Sequence, residues 1–259
     1  MDTKKIREMA SNPNFIPGIY NYCDRWCERC SFTDKCMNYA MEKERFPKSH
    51  DNPDVDNEVF WEELAETLHD TLEMLREMMK ERGIDIDEIE VTEEDEKKEE
   101  DLREFTKNHF LTKMADEYIK MGDEWLKRME PAFEENGVYY DRSDMEGDKE
   151  KMVALRDALE VIRWYLFQIS VKIQRALQGM QRHEGPDDEA FLYDSNGSAK
   201  VALLGIDRSL SAWQRMTGFF PKEEDNIIDM MILLGRLREK TEKVFPGARK
   251  FKRPGFDEG

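Results

Sequence analysis

Cysteine, histidine and long apolar runs are what this sequence has least of. Its 259 residues include four cysteines and four histidines, and its apolar runs are short, as at Trp164-Tyr165-Leu166-Phe167. Runs of that length exclude a membrane-spanning helix, which needs about 20 apolar residues. The opening Met1-Asp2-Thr3-Lys4-Lys5-Ile6-Arg7 has no apolar stretch behind it, so no secretory leader is expected. There is no Ser–His–Asp order, glycine-rich phosphate loop or H-E-x-x-H zinc motif. Positive charge is in deficit, with 40 lysines and arginines against 58 aspartates and glutamates, a net charge of −18. Duplex-binding proteins draw affinity from counterion release by cationic side chains, and this balance opposes nucleic acid as a partner. The basic run Ala248-Arg249-Lys250-Phe251-Lys252-Arg253 is expected to be a solvated charge run. The expected setting is the reducing cytoplasm, where thiols stay free.

What is present is helical periodicity. Charged residues make up 38% and hydrophobic ones 39% of the chain, and the hydrophobic ones recur at intervals of three and four. The pattern predicts an all-α protein, a helical bundle of about five helices behind a short N-terminal cysteine-rich segment. Residues 1–46 form that metal-binding segment, 54–246 the bundle, and 247–259 a basic, flexible C-terminal tail. The break falls at Pro47-Lys48-Ser49-His50-Asp51-Asn52-Pro53, whose prolines stop helices on either side.

The first helix is predicted over Asp56 to Arg82, closed by Gly83, with Trp61, Leu64, Leu68, Leu72, Leu75 and Met79 on one stripe. Asp85 to Glu104 reads as a solvated acidic connector, lacking the glycine and ligand spacing of a calcium loop. A second helix, Leu102 to Met129, carries Phe110, Met114, Tyr118, Met121 and Trp125. The loop after it, 136–148, is long for a hairpin. The third, Lys149 to Met180, has one stripe of Leu155, Leu159, Ile162, Leu166, Ile169, Ile173 and Leu177. Val153, Trp164, Phe167 and Val171 form another on the opposite side, which predicts a central helix buried between neighbours. A fourth, from Glu189 or Ala199 to Thr217, offers a face of small residues, Ala202, Gly205, Ser209 and Ala212, for close approach. A fifth runs from Glu223 to Phe245.

All four cysteines lie between positions 23 and 36 in the pattern C-x3-C-x2-C-x5-C: Cys23, Cys27, Cys30 and Cys36. On a helical turn the first three would share a face, and Cys36 follows after enough chain to fold back. Four converging thiolates repel one another unless a cation sits among them, and Zn²⁺ or an iron–sulfur cluster supplies it. In so short a segment, metal binding would also be much of the folding energy. A fully ligated centre leaves no open position for substrate, which favours electron transfer or a structural role over Lewis-acid chemistry. Trp26 and Phe32 are placed to shield the centre or to anchor the segment.

The stretch Cys27-Glu28-Arg29-Cys30-Ser31-Phe32-Thr33-Asp34-Lys35-Cys36 resembles the C-x2-C-x5-C ending of the [4Fe–4S] loop of endonuclease III-like DNA glycosylases. It is similar, too, to iron–sulfur nucleases of CRISPR adaptation and bacterial recombination. The resemblance spans residues 23–36, and the first gap is three here against six in the glycosylases. Their helix–hairpin–helix and active-site strand are missing, so the resemblance implies a [4Fe–4S] cluster, with zinc as the alternative, and no glycosylase or nuclease activity. Cys23, Cys27 and Cys30 also resemble the radical SAM signature, but Arg29 precedes the third cysteine and no alternating strands follow. The opening from Pro17-Gly18-Ile19-Tyr20 to Cys36 is similar to that of uncharacterised bacterial proteins, which implies no activity.

Two other polar sets stand out. Glu66-x-x-His69 has di-iron spacing without the second copy such sites need, and Glu66 falls opposite the leucine stripe, so a solvated pair is expected. Glu160 shares a side of the third helix with Val153, Phe167 and Val171. There it is either ion-paired by Arg156 and Arg163 or, with His109, part of a buried acid–base site. The sixteen methionines are expected to fill core. Two functions follow: a metal-binding protein of electron transfer or structural and sensory type with a redox or protein partner, or an enzyme with its site near Glu160 and His109 and a structural zinc at the cysteines.

Overall fold

In the computed structural model, residues 3–45, 58–85, 90–135, 149–182 and 189–257 are described. Among them are eight α-helices and no strand: α1 Thr3–Ala10, α2 Met37–Arg45, α3 Glu58–Glu81, α4 Glu93–Asn108, α5 Phe110–Glu135, α6 Lys149–Gln181, α7 Glu189–Phe219 and α8 Glu224–Val244. None is long and apolar enough to cross a membrane. The chain divides into two compact units, one of Met1–Lys97 with Arg253–Gly259, the other of Lys98–Lys252. That division differs from the expected 1–46, 54–246 and 247–259. The linker at 47–53 and the loop at 136–148 lie outside the described residues.

The larger unit is a four-helix bundle. α5 packs on α6, α6 on α7, α7 on α8, and α8 closes the ring on α5. Ion pairs fix the direction of neighbours: Arg175 with Asp194 and Arg215 with Asp157 make α6 and α7 antiparallel. The predicted stripe of α6, from Leu155 through Leu177, is buried throughout. Its second stripe is not, since Val153, Phe167 and Val171 are exposed, and Glu160 with them. α6 therefore turns one face inward rather than two. The small-residue face of α7 is buried as expected, because α6 presses on it: a side chain at Gly205 would meet the Tyr165 ring at 2.9 Å and Ile169 at 3.2 Å.

α5 buries a face rotated from the predicted one. Leu111, Ala115, Tyr118, Gly122, Trp125, Met129 and Phe133 point inward, while Phe110 is exposed. Large side chains dominate a sequence pattern, yet close packing selects small ones where a neighbour approaches, and Leu166 lies against Gly122. α5 also runs through Pro131 to Glu135. A proline in a helix interior costs about 3 kcal/mol, and burial of Phe133 against Trp125 and Phe220 offsets it.

The acidic connector is a helix for most of its length. Thr92 and Asp95 form a reciprocal cap: the Asp95 N–H donates to Thr92 Oγ1 at 3.2 Å and the Thr92 N–H to Asp95 Oδ2 at 3.1 Å. Four acidic residues in the first turn of α4 then meet the positive end of its dipole. α3 ends as predicted, with Gly83 at φ 71° and the bonds Gly83 N–H to Lys80 O and Ile84 N–H to Met79 O. Its apolar stripe is largely uncovered, however, with Trp61, Leu68, Leu72 and Leu75 exposed. Periodicity names a face but not what covers it.

The corner between α5 and α8 rests on Glu223. One of its carboxylate oxygens accepts from Arg128 at 2.6 Å, Asn226 at 3.0 Å and Trp125 Nε1 at 3.1 Å. The Arg128 guanidinium, with help from Asn226 and Trp125, holds this carboxyl below the usual carboxylate range against the opposing effect of burial. A lowered folded-state pKa adds stability above the unfolded-state value and loses it as pH falls through the folded one. Glu223→Gln is thus expected to cost about 1 kcal/mol at pH 7, discounted for solvent screening. Urea titrations should show the gap to wild type closing as pH drops below about 4.

Candidate metal centre

The cysteine segment is built from turns, not from a helix face. Ile16-Pro17-Gly18-Ile19 makes a tight turn in which the Ile19 N–H donates to Ile16 O at 3.4 Å and Gly18 takes φ 72°, the left-handed value that proline–glycine turns place on glycine. It leads into a 3-10 turn, Ile19–Tyr22, whose Ile19 and Tyr22 are buried. Cys23 is extended, Arg25 takes φ 57°, and a second 3-10 turn spans Cys27–Arg29. Cys30 is extended again, a third turn spans Thr33–Lys35, and Cys36 directly precedes α2. The expected helical face of Cys23, Cys27 and Cys30 is therefore absent. A left-handed residue between the first two breaks any helix there.

The turns nonetheless bring the four together. Cys23, Cys27, Cys30 and Cys36 all line one pocket, with Ile19, Trp26, Phe32, Tyr39 and Phe256 among its walls. Each is partly buried, and none is in a disulfide. The Phe32 N–H donates to Cys30 Sγ at 3.4 Å, and the Cys23 thiol donates to Tyr20 O at 3.5 Å. Arg29 lies 4.2 Å over the Trp26 ring.

The electrostatics of the pocket are those of crowded acids. Burial pushes the Cys27 thiol up to about 11, and the negative charge of Glu42, Cys23, Cys36 and Glu28 adds to the shift. Ionising Cys27 beside the other thiols is costly unless a cation is there to accept the charge, so metal uptake must displace protons. The donor set thus fits a thiolate-bound metal. Among the described residues, no three acidic, histidine or cysteine side chains stand at the spacing of a shared ion. About 20 Å³ of the pocket is open to a water-sized body, roughly the space of one water.

The other candidates are placed elsewhere. His69 meets Glu73 at 3.5 Å with both side chains exposed, and Glu66 is exposed too, the solvated arrangement expected. His109 stands at the break between α4 and α5, its Nδ1 accepting the Leu111 N–H at 3.2 Å, its ring between Phe105 and Phe110. Burial lowers its pKa, which suits the neutral, accepting ring. It terminates one helix and starts the next. Glu160 is exposed, so it is not the buried carboxylate of an acid–base site, and Arg163 reaches across to Glu130 of α5 at 3.1 Å.

Tyr39 and Phe256 are pocket residues that the sequence pattern did not point to, and Phe256 comes from far along the chain. Its signal is Arg253-Pro254-Gly255-Phe256, a second proline–glycine turn within the stretch expected to be a basic, flexible tail. Compared with known protein families, curated proteins and solved structures, the chain has no match.

Proposed function

We propose that the smaller unit is a metal-binding module in which Cys23, Cys27, Cys30 and Cys36 hold one [4Fe–4S] cluster. The observation that carries this is the convergence of all four cysteines of the chain on a single pocket. When bound, such a cluster exchanges single electrons or staples its surroundings, according to its potential and exposure. The chain's own contribution is to supply the thiolates, to aim the Phe32 amide at Cys30 Sγ, and to wall the site with Trp26, Phe32 and Phe256. Amide donors to sulfur stabilise the thiolate state and tune a centre bound there. The role is electron transfer or structural and sensory support for a protein partner, in a reducing compartment such as the cytoplasm.

Zinc is the second reading, favoured by the small free volume of the pocket, since one ion needs less space than a cluster. An active site around Glu160 and His109 has no such support, with the first exposed and the second engaged at a helix junction. Anaerobic purification with metal and sulfide analysis separates the two metals. A [4Fe–4S] site gives broad absorption near about 400 nm with iron and sulfide. Stoichiometric zinc without sulfide selects the alternative, and neither metal in a reduced, folded sample sinks both.

A further inference from the structure

The last described residues do not trail into solvent. Arg253-Pro254-Gly255-Phe256 closes a turn, with the Phe256 N–H donating to Arg253 O at 3.1 Å and Gly255 at φ 76°. The turn is braced within itself. Arg253 forks onto Asp257, with Nε to Oδ2 and Nη2 to Oδ1 both at 3.0 Å, and the guanidinium lies 4.7 Å over the Phe256 ring. Both ion-pair partners are largely withdrawn from water, at 12% and 26% exposed, so this pair is less screened than a surface one.

So braced, the turn seats on the cysteine segment. Phe256 packs edge-on against Phe32, ring centroids 5.0 Å apart, and lines the pocket of the four cysteines. Gly255 rides so close that a side chain there would meet Ile16 and Ile19 at 3.0 Å, and Pro254 lies by Gly18. The two proline–glycine turns, some 237 residues apart in sequence, face one another. Phe32 is the hinge of the arrangement, because its backbone N–H bonds Cys30 Sγ while its ring holds Phe256.

We propose that residues 253–257 are a strap over the metal site, held closed when the four cysteines are loaded and released when they are empty. The proposal rests on the metal-binding function above. Loading Cys30 fixes its sulfur, the sulfur fixes the Phe32 amide, and Phe32 presents the seat for Phe256. By linkage, whatever the closed strap does for metal retention, metal does equally for strap closure. The strap follows directly on Lys252, the last residue of the bundle unit, so metal loading would decide whether residues 253–257 are free for other contacts.

The test uses the full chain, metal-loaded and chelator-stripped under reducing conditions. Tryptic cleavage at the Lys252–Arg253 bond and amide exchange of residues 255–257 should both be at least about fivefold slower in the loaded form. Phe256→Ala should erase that difference and speed metal loss to EDTA several-fold, and Phe256→Leu should restore most of the retention. In the stripped protein, where the strap is released, Phe256→Ala should leave the rate at which the four thiols react with an aromatic disulfide within about twofold of wild type; a several-fold faster rate would show the strap shut on an empty site and overturn its release by metal loss. Equal cleavage in loaded and stripped wild type, or unchanged metal loss in Phe256→Ala, overturns the strap and leaves metal binding standing. Absence of metal from every preparation overturns metal binding and control by loading together.

Discussion

Cys27→Ser is expected to empty the metal site and to loosen the N-terminal segment with it. Bound metal per chain should fall more than tenfold, because a hydroxyl does not ionise at neutral pH and three remaining thiolates hold a cluster or a zinc ion poorly. Loss of order follows from how little else holds this segment. Its buried apolar residues are Ile19 and Tyr22, far too few to offset about 1–2 kcal/mol of backbone entropy per ordered residue. Amide exchange over residues 3–45 should therefore quicken in the variant to the rates of stripped wild type. Cys30→Ser should act alike, and would also remove the acceptor of the Phe32 N–H. Ser31→Ala, between Cys30 and Phe32 and exposed, should leave both readouts unchanged. Full metal content in either cysteine variant would remove that residue from the ligand set.

Trp213→Ala should produce the largest loss of stability in the bundle. The ring is fully buried, stands edge-on to Trp125 with centroids 4.9 Å apart, and donates its Nε1–H to Tyr118 Oη at 3.0 Å. Tyr118 is itself fully buried, and that burial pushes its phenol up to about 12, so it stays protonated and needs its hydrogen bonds met. Truncation removes an aromatic from a packed core at about 3–5 kcal/mol and leaves a buried phenol short of a donor at about 1–3 kcal/mol more. An expected loss of about 4 kcal/mol allows for partial collapse of the cavity. Urea unfolding followed by far-ultraviolet circular dichroism measures it. Trp213→Phe should cost roughly half as much, isolating the hydrogen bond from the volume. A loss below about 1 kcal/mol for Trp213→Ala would mean that the α5 to α7 contact is peripheral to the bundle's stability.

Much of this architecture is legible in the residue pattern, and the places where it is not share a cause. The inner stripe of α6 is read correctly because Leu155 through Leu177 fall on one side at helical spacing, and that side is the one that packs. The outer stripe is read wrongly because Val153, Phe167 and Val171 show the same spacing and nothing covers them. The acid–base alternative for Glu160 fails for the same reason, since a carboxylate among apolar neighbours is buried only if its neighbours are. Gly122 carries no hydrophobic signal, though it marks where α5 meets Leu166 of α6. Thr92 and Asp95 cap α4 from three residues apart, a local signal that the reading of 85–104 as a solvated connector does not use.

The cysteine pocket divides along the same line. By itself the sequence determined that the protein is helical, where its strongest helices run, and that all its thiols crowd into one short stretch. These are local properties, set by spacing along the chain. Only the tertiary structure decided that the thiols come to line one pocket through three 3-10 turns and a left-handed residue instead of along a helix, and that Phe256, distant in sequence, lines it with them. Contact between residues 32 and 256 is made by the fold, and no periodicity within either segment encodes its partner.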